Sequence, residues 1–173
     1  MAKQVSEKLI SYRVYKDGKD FLGTADVTLP SVEYLTETVK GAGIAGEVNS
    51  PTIGNFGSMG VTLNWRTIEA DAIRLAAPQA HALDFWGAQQ VFNQSSGTYD
   101  SVAVKVSVRA IPKKFDIGKF EPGATTDSSS EFEVIYLKLS HNDRVLLEID
   151  KYNYICVIDG VDYLAKVRSQ LGY

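Results

Sequence analysis

Apolar and polar residues alternate with a period of two along much of this chain, the pattern of strands that bury one face. The cleanest case is Ser101 to Ala110, where Val102, Val104, Val106 and Val108 share one side and Ser101, Lys105, Ser107 and Arg109 the other. Glu131 to Leu139 is rich in β-branched and aromatic residues and reads as a strand. The turn residues Ser140-His141-Asn142-Asp143 follow, and Arg144 to Ile149 resumes with Val145, Leu147 and Ile149 on one face, which predicts a hairpin. Another hairpin is predicted from Ile10 to Tyr15 through Lys16-Asp17-Gly18-Lys19 to a return strand from Phe21 to Leu29. Pro30 cannot donate to a ladder, so Leu29-Pro30-Ser31 marks a corner or an edge. Further strands are expected from Val32 to about Lys40, from Val61 to Trp65 paired beside it, and from Tyr152 to Ile158.

The period changes in two places. From Thr67 to Gly87 the spacing is helical: Ile68, Ala72, Leu75 and Ala76 share a face, Pro78 interrupts, and Ala82, Leu83, Phe85 and Trp86 resume, giving one broken helix or two short ones. After the last strand, Val161, Leu164, Ala165, Arg168 and Leu171 form a helical stripe, with Asp159 as N-cap, Gly172 as stop and Asp162 paired four residues ahead of Lys166. So short a helix is marginal alone, and its stripe is expected to dock on a sheet. Gly87 to Asp100 and Pro112 to Ser130 read as surface segments. Gly41 to Gly60, with Gly41, Gly43, Gly46, Gly54, Gly57, Gly60 and Pro51, reads as a long flexible excursion, functional or ordered by a partner. The whole predicts roughly seven or eight short strands, a central helical segment and a C-terminal helix: a mainly β fold, an antiparallel β-sandwich or small barrel.

At 173 residues and 19.0 kDa the chain suits one core, hence a single domain over 1–173. Met1 to Lys8 carries Lys3, Glu7 and Lys8 with no apolar run behind them, predicting no secretory leader and a cytosolic start. Cys156 is the lone cysteine and sits in an apolar run, so it reads as a buried small hydrophobe. The net charge is -3 with signs interspersed and no basic cluster, which disfavours sequence-specific DNA binding. His81 with Asp84, and His141 with Asp143, are the pairs that hint at acid/base or metal chemistry, but neither has a second ligand at metal spacing. There is no phosphate-binding glycine motif and no nucleophile elbow, and Asp159-Gly160-Val161-Asp162 lacks the remaining acids of a calcium loop. Neither an enzyme nor a cofactor is expected.

Several blocks resemble the major tail tube protein of contractile-tailed bacteriophages and the related R-type tail-like bacteriocins. They are Asp17-Gly18 with Phe21 and Gly23, Val27-Thr28-Leu29-Pro30, Gly41-Ala42-Gly43, and above all Glu148-Ile149-Asp150, Asn153, Asp159-Gly160-Val161-Asp162, Leu164, Arg168 and Leu171-Gly172. The resemblance covers nearly the whole chain, weakly between Thr67 and Tyr99; Ser31 and Ile44 depart from it.

It implies a tail-tube β-sandwich whose hexameric rings stack helically around a lumen, without enzymatic activity. Gly41, Gly43, Ile44, Glu47, Pro51, Ile53 and Phe56 become an inter-ring contact loop within about 41–60, and Leu29, Pro30, Glu148, Asp150, Asn153, Asp159, Gly160, Asp162 and Arg168 structural motif residues. Implied partners are further copies of itself, a tail sheath protein, a tape measure protein in the lumen, a baseplate hub and a tail terminator. DNA is only passing cargo, and no membrane is involved. The particle is a virion tail or bacteriocin, assembled in the bacterial host cytoplasm. A conduit must not grip a polyanion, so Glu33, Glu37, Thr62 and Asn64 are candidate lumen residues. The rival readings are the tube of a type VI-like secretion machine and a monomeric β-sandwich binding module.

Overall fold

The computed structural model describes residues 4–24 and 26–173. Met1 to Lys3 and Ala25, which bear on the expected absence of a leader and on the return strand, lie outside the described residues. The strands are β1 (Gln4–Lys16), β2 (Asp20–Leu22), β3 (Asp26–Thr28), β4 (Tyr34–Lys40), β5 (Glu47–Phe56), β6 (Gly60–Trp65), β7 (His81–Asn93), β8 (Thr98–Asp116), β9 (Ser128–His141), β10 (Arg144–Asp150), β11 (Ile155–Ile158) and β12 (Val161–Asp162). The helices are α1 (Ala70–Arg74) and α2 (Ala165–Leu171). The fold is mainly β and antiparallel, as the alternation predicts.

Ten strands form one sheet, whose path runs β12-β11-β10-β9-β8-β7-β1-β2. Two strands share one side of β9: β6 pairs along Ser128–Glu133 and β10 along Tyr136–His141. On its free side β6 pairs with β3. The sheet's free ends are therefore β2, β12 and, on the β6 branch, β3; β2 and β3 are near neighbours in the chain, so the sheet curls back on itself. The core agrees with this curl. Val14 of β1, Val61, Leu63 and Trp65 of β6, Leu83 and Phe85 of β7, Val106 and Val108 of β8, and Phe132 and Val134 of β9 meet in one cluster. Fully burying each large side chain contributes about 1.5–3 kcal/mol. Ala72 and Leu75 bring α1 and its following turn onto the same cluster.

Several sequence expectations are corrected. Ala82, Leu83, Phe85 and Trp86 belong to β7, with His81, Leu83 and Phe85 inward and Trp86 outward; only Ala70–Arg74 is α-helical before it. Alanine and leucine favour helix locally, but the ladder to Val106 and Val108 overrides that preference. β7 then runs on to Asn93 and β8 begins at Thr98, so most of 87–100 is sheet. β8 also extends past Pro112, which is tolerated because β7 has ended opposite Ala110 and that side of β8 is free. The surface segment thus shrinks to 117–127, and Ser128 and Ser130 are buried in β9. β6 lies between β3 and β9, not beside β4. The return strand breaks into β2 and β3, and the last predicted strand begins at Ile155, not Tyr152.

Candidate functional site

The segment expected to be a structureless excursion is a second sheet. β4 and β5 pair from Lys40 opposite Glu47 down to Tyr34 opposite Phe56, forming a hairpin that stands apart from the ten-stranded sheet. Glycines read as flexibility instead build its tip. Gly41, Gly43 and Gly46 have φ of 139°, 90° and 115°, conformations that close the turn and that side chains resist. Partners opposite one another share a face. Leu35, Glu37, Val39, Val48 and Ser50 therefore form one side of the hairpin, and Leu35, Val39 and Val48 are exposed there. Ile44 at the tip and Ile53 in β5 are exposed as well. Lys40 and Glu47 form a cross-strand ion pair at 3.5 Å.

The hairpin's base is rooted firmly. The Tyr34 and Phe56 rings meet at 4.9 Å between centroids, and Phe56 packs against the core. Gly57 N donates to Glu33 O at 2.9 Å, and Lys151 Nζ donates to Gly57 O at 2.7 Å. Just beyond, Glu133 accepts from Ser58 Oγ at 2.6 Å and from Met59 N at 3.3 Å, and lies 3.5 Å from both Lys113 and Lys151. Burial opposes ionisation of Glu133, but these hydrogen bonds and lysines prevail and hold its carboxyl below the usual value. Burial, with Cys156 and Tyr163 nearby, pushes the Tyr34 phenol up.

The C-terminal motif residues gather beside this base. Asp150 accepts from the backbone N–H groups of Tyr152 and Asn153, each at 3.0 Å, and from Asn153 Nδ2 at 2.7 Å, closing the turn before β11. Glu148 accepts from the Tyr136 hydroxyl at 2.8 Å; burial first and this bond second push the Tyr136 phenol up to about 12. Asp159 and Gly160, both at positive φ, turn β11 into β12, and Asp159 pairs with Arg144. Asp159 is therefore a turn residue and not the N-cap. Asp162 pairs with Arg168, not Lys166, and that guanidinium's hydrogen bond holds the carboxyl below its ordinary value. The expected docking stripe is also corrected: α2 buries no residue of its own, Val161 and Leu171 are exposed, and Leu164, just before the helix, is the buried residue. Gly172 ends the helix at φ 82° as expected. Leu29 is exposed and Pro30 half-buried in the corner before the hairpin.

Of the candidate lumen residues, Glu33 lies at the hairpin's foot and Glu37 on its mixed face, while Thr62 and Asn64 are half-buried on β6, where Asn64 bonds to Asp26. Glu37 on β4 and the Thr62–Asn64 pair on β6 therefore sit on strands that are not neighbours, and Glu33 precedes β4. Register also creates a feature invisible in linear sequence: Arg13, Lys105, Arg109 and Lys138 converge on the outward face of β1, β7, β8 and β9. Lys105 lies over the Trp86 ring at 4.5 Å and Arg109 over Tyr136 at 5.7 Å. His81 is buried with Nε2 3.1 Å from Ala77 O, His141 is exposed, and Cys156 is a buried free thiol. Among the described residues no group of three or more His, Cys, Asp and Glu side chains is placed to hold a metal. Sequence reasoning missed Glu133, Lys151 and the contact of Gly54 with Leu164; an isolated glycine between Ile53 and Phe56 is the one visible signal of the last.

The family described as phage tail tube protein FII matches residues 6–172. Over 172 residues the chain is 27% identical to the tail tube protein of Escherichia phage P2, covering 95% of this chain and 96% of that protein. It is 28% identical over 170 residues to the major tail tube protein of Serratia phage KSP20, covering 97% of each. Among solved structures it is similar to the sheath/tube terminator of an extracellular contractile injection system, PVC, in its extended state. That match has a TM-score of 0.52 and 14% identity, covers 76% of this chain and 94% of that one, and concerns the fold alone.

Proposed function

This chain belongs to the phage tail tube protein FII family and is a structural subunit of the tube of a contractile phage tail or related injection system; from that premise we propose that it works as one unit over 1–173, forming hexameric rings that stack into a rigid tube. The observation that carries this reading is the β4–β5 hairpin, rooted at its base yet exposing Leu35, Val39 and Val48 along one face. An isolated two-stranded hairpin is marginally stable in water, and a free strand edge invites pairing with another chain. Another copy of the chain meets both needs, so Gly41, Gly43, Ile44, Glu47, Pro51, Ile53 and Phe56 belong to a contact between rings. Phe56 acts from the base and Ile44 from the tip.

The tube encloses a lumen through which DNA, or ions in a bacteriocin, pass without specific binding, with Glu33, Glu37, Thr62 and Asn64 contributing to its lining. A tape measure protein occupies the lumen before ejection; sheath, terminator and baseplate hub are the other tail partners. The subunit acts by assembly and not by catalysis, and assembles in the bacterial host cytoplasm. Replacing residues 41–57 by a short Gly-Ser linker tests the contact. The expected product is a folded, soluble subunit that no longer polymerises; long tubes from this variant would overturn the assignment.

A further inference from the structure

The hairpin's foot is held at Phe56 and Gly57, but above it β4 and β5 pair with no other strand, so the direction in which the arm points depends on a contact beyond the foot. The C-terminal segment supplies a stop. Gly54 in β5 has φ of 67°, and a Cβ there would overlap the side chain of Leu164. Leu164 is 3% exposed although α2, which follows it, buries nothing. It is pinned from behind: Leu164 N donates to Asp162 Oδ1 at 3.0 Å, Arg168 donates to Asp162 Oδ2, and Arg168 Nη1 donates to Tyr154 O at 2.7 Å. Beside this contact lies a cleft of about 340 Å³ lined in part by Tyr34, Pro51, Ile53, Cys156 and Tyr163. The cleft thus separates part of β5 from β11 and Tyr163, next to Gly54.

We propose that Leu164, held by the Asp162–Arg168 clasp, is the positioning residue that sets the hairpin's projection, and that the C-terminal segment thereby controls the geometry of contact between copies. The inference rests on the proposed function only in taking the hairpin as the contact element. The sequence block that carries the family resemblance then acquires a mechanical role: it braces the arm.

Hydrogen exchange on the full chain, read beside tube formation, tests this. In Leu164→Ala and in Arg168→Gln, amides of the β4–β5 ladder should exchange at least roughly tenfold faster while those of the β7–β8 ladder keep their rate, and tube yield should fall. Arg168→Lys should recover only part of the effect, because an ammonium cannot reproduce the guanidinium fork that reaches both acceptors. Gly54→Ala should disturb the hairpin, and adding Leu164→Ala should cost less than the two changes summed, since the shorter side chain makes space for the new Cβ. Unchanged hairpin exchange with normal tubes in both single variants would overturn the proposal. So would equal acceleration in both ladders, which marks a general loss of stability. If the unmodified chain builds no tubes but its hairpin still loosens in these variants, the positioning role stands and the proposed function fails.

Discussion

Trp65 is the largest fully buried side chain, and its indole Nε1 donates to Ser130 Oγ at 3.1 Å across β6 and β9. Removing the acceptor leaves a donor in the core with no water to replace it. Ser130→Ala should therefore destabilise by about 1–3 kcal/mol, read from the shift of a chemical denaturation midpoint. Glu133 offers a second test at the same scale. Its folded-state carboxyl titrates below the unfolded value, so its contribution is present above the unfolded pKa and is lost as pH falls through the folded one. Stability should fall on acidification below pH 4.5, the ordinary glutamate value, and Glu133→Gln should flatten that limb in a pH series of thermal melts. Gly118 has φ of 87°, and a Cβ there would collide with the Thr126 carbonyl. Gly118→Ala should cost about 1–3 kcal/mol of stability, again by denaturation.

The β4–β5 hairpin is the element on which the proposed function turns. Its apolar face is already in solvent, so Val39→Ser with Val48→Ser should change subunit stability by only about 0.5 kcal/mol per site while reducing polymerisation, measured by melting and sedimentation respectively. Elements with a strict period were legible in sequence: the valines of β8 and the turn between β9 and β10 stand where alternation puts them. β7 was not, because Ala82, Leu83, Phe85 and Trp86 satisfy helical spacing as well as alternation, and only pairing with β8 decides between them. β5 was hidden for a different reason. Pro51 and Gly54 dilute its pattern, and both faces are too exposed to leave a hydrophobic rhythm. The residues proposed for assembly fall within this hairpin, while its ordered form and the Gly54–Leu164 contact depend on long-range contacts that no local pattern records.

At the scale of the molecule, the ten-stranded sheet ends in very short strands, β2, β3 and β12, which limits edge pairing along the body. The hairpin keeps its unpaired edges in solvent and its apolar face free. The architecture is one packed core carrying a two-stranded hairpin with an exposed apolar face. In a reconstructed tube, the lining is expected to include Glu33, Glu37, Thr62 and Asn64; a wall formed instead by Arg13, Lys105, Arg109 and Lys138 would contradict that lining. The central claim is that this chain completes itself only against further copies. Electron microscopy of the purified protein at high concentration tests it most directly. Long hollow tubes built of stacked rings are the predicted result, and a persistent monomer whose hairpin is already as protected from hydrogen exchange as the β7–β8 ladder is the result that would contradict it.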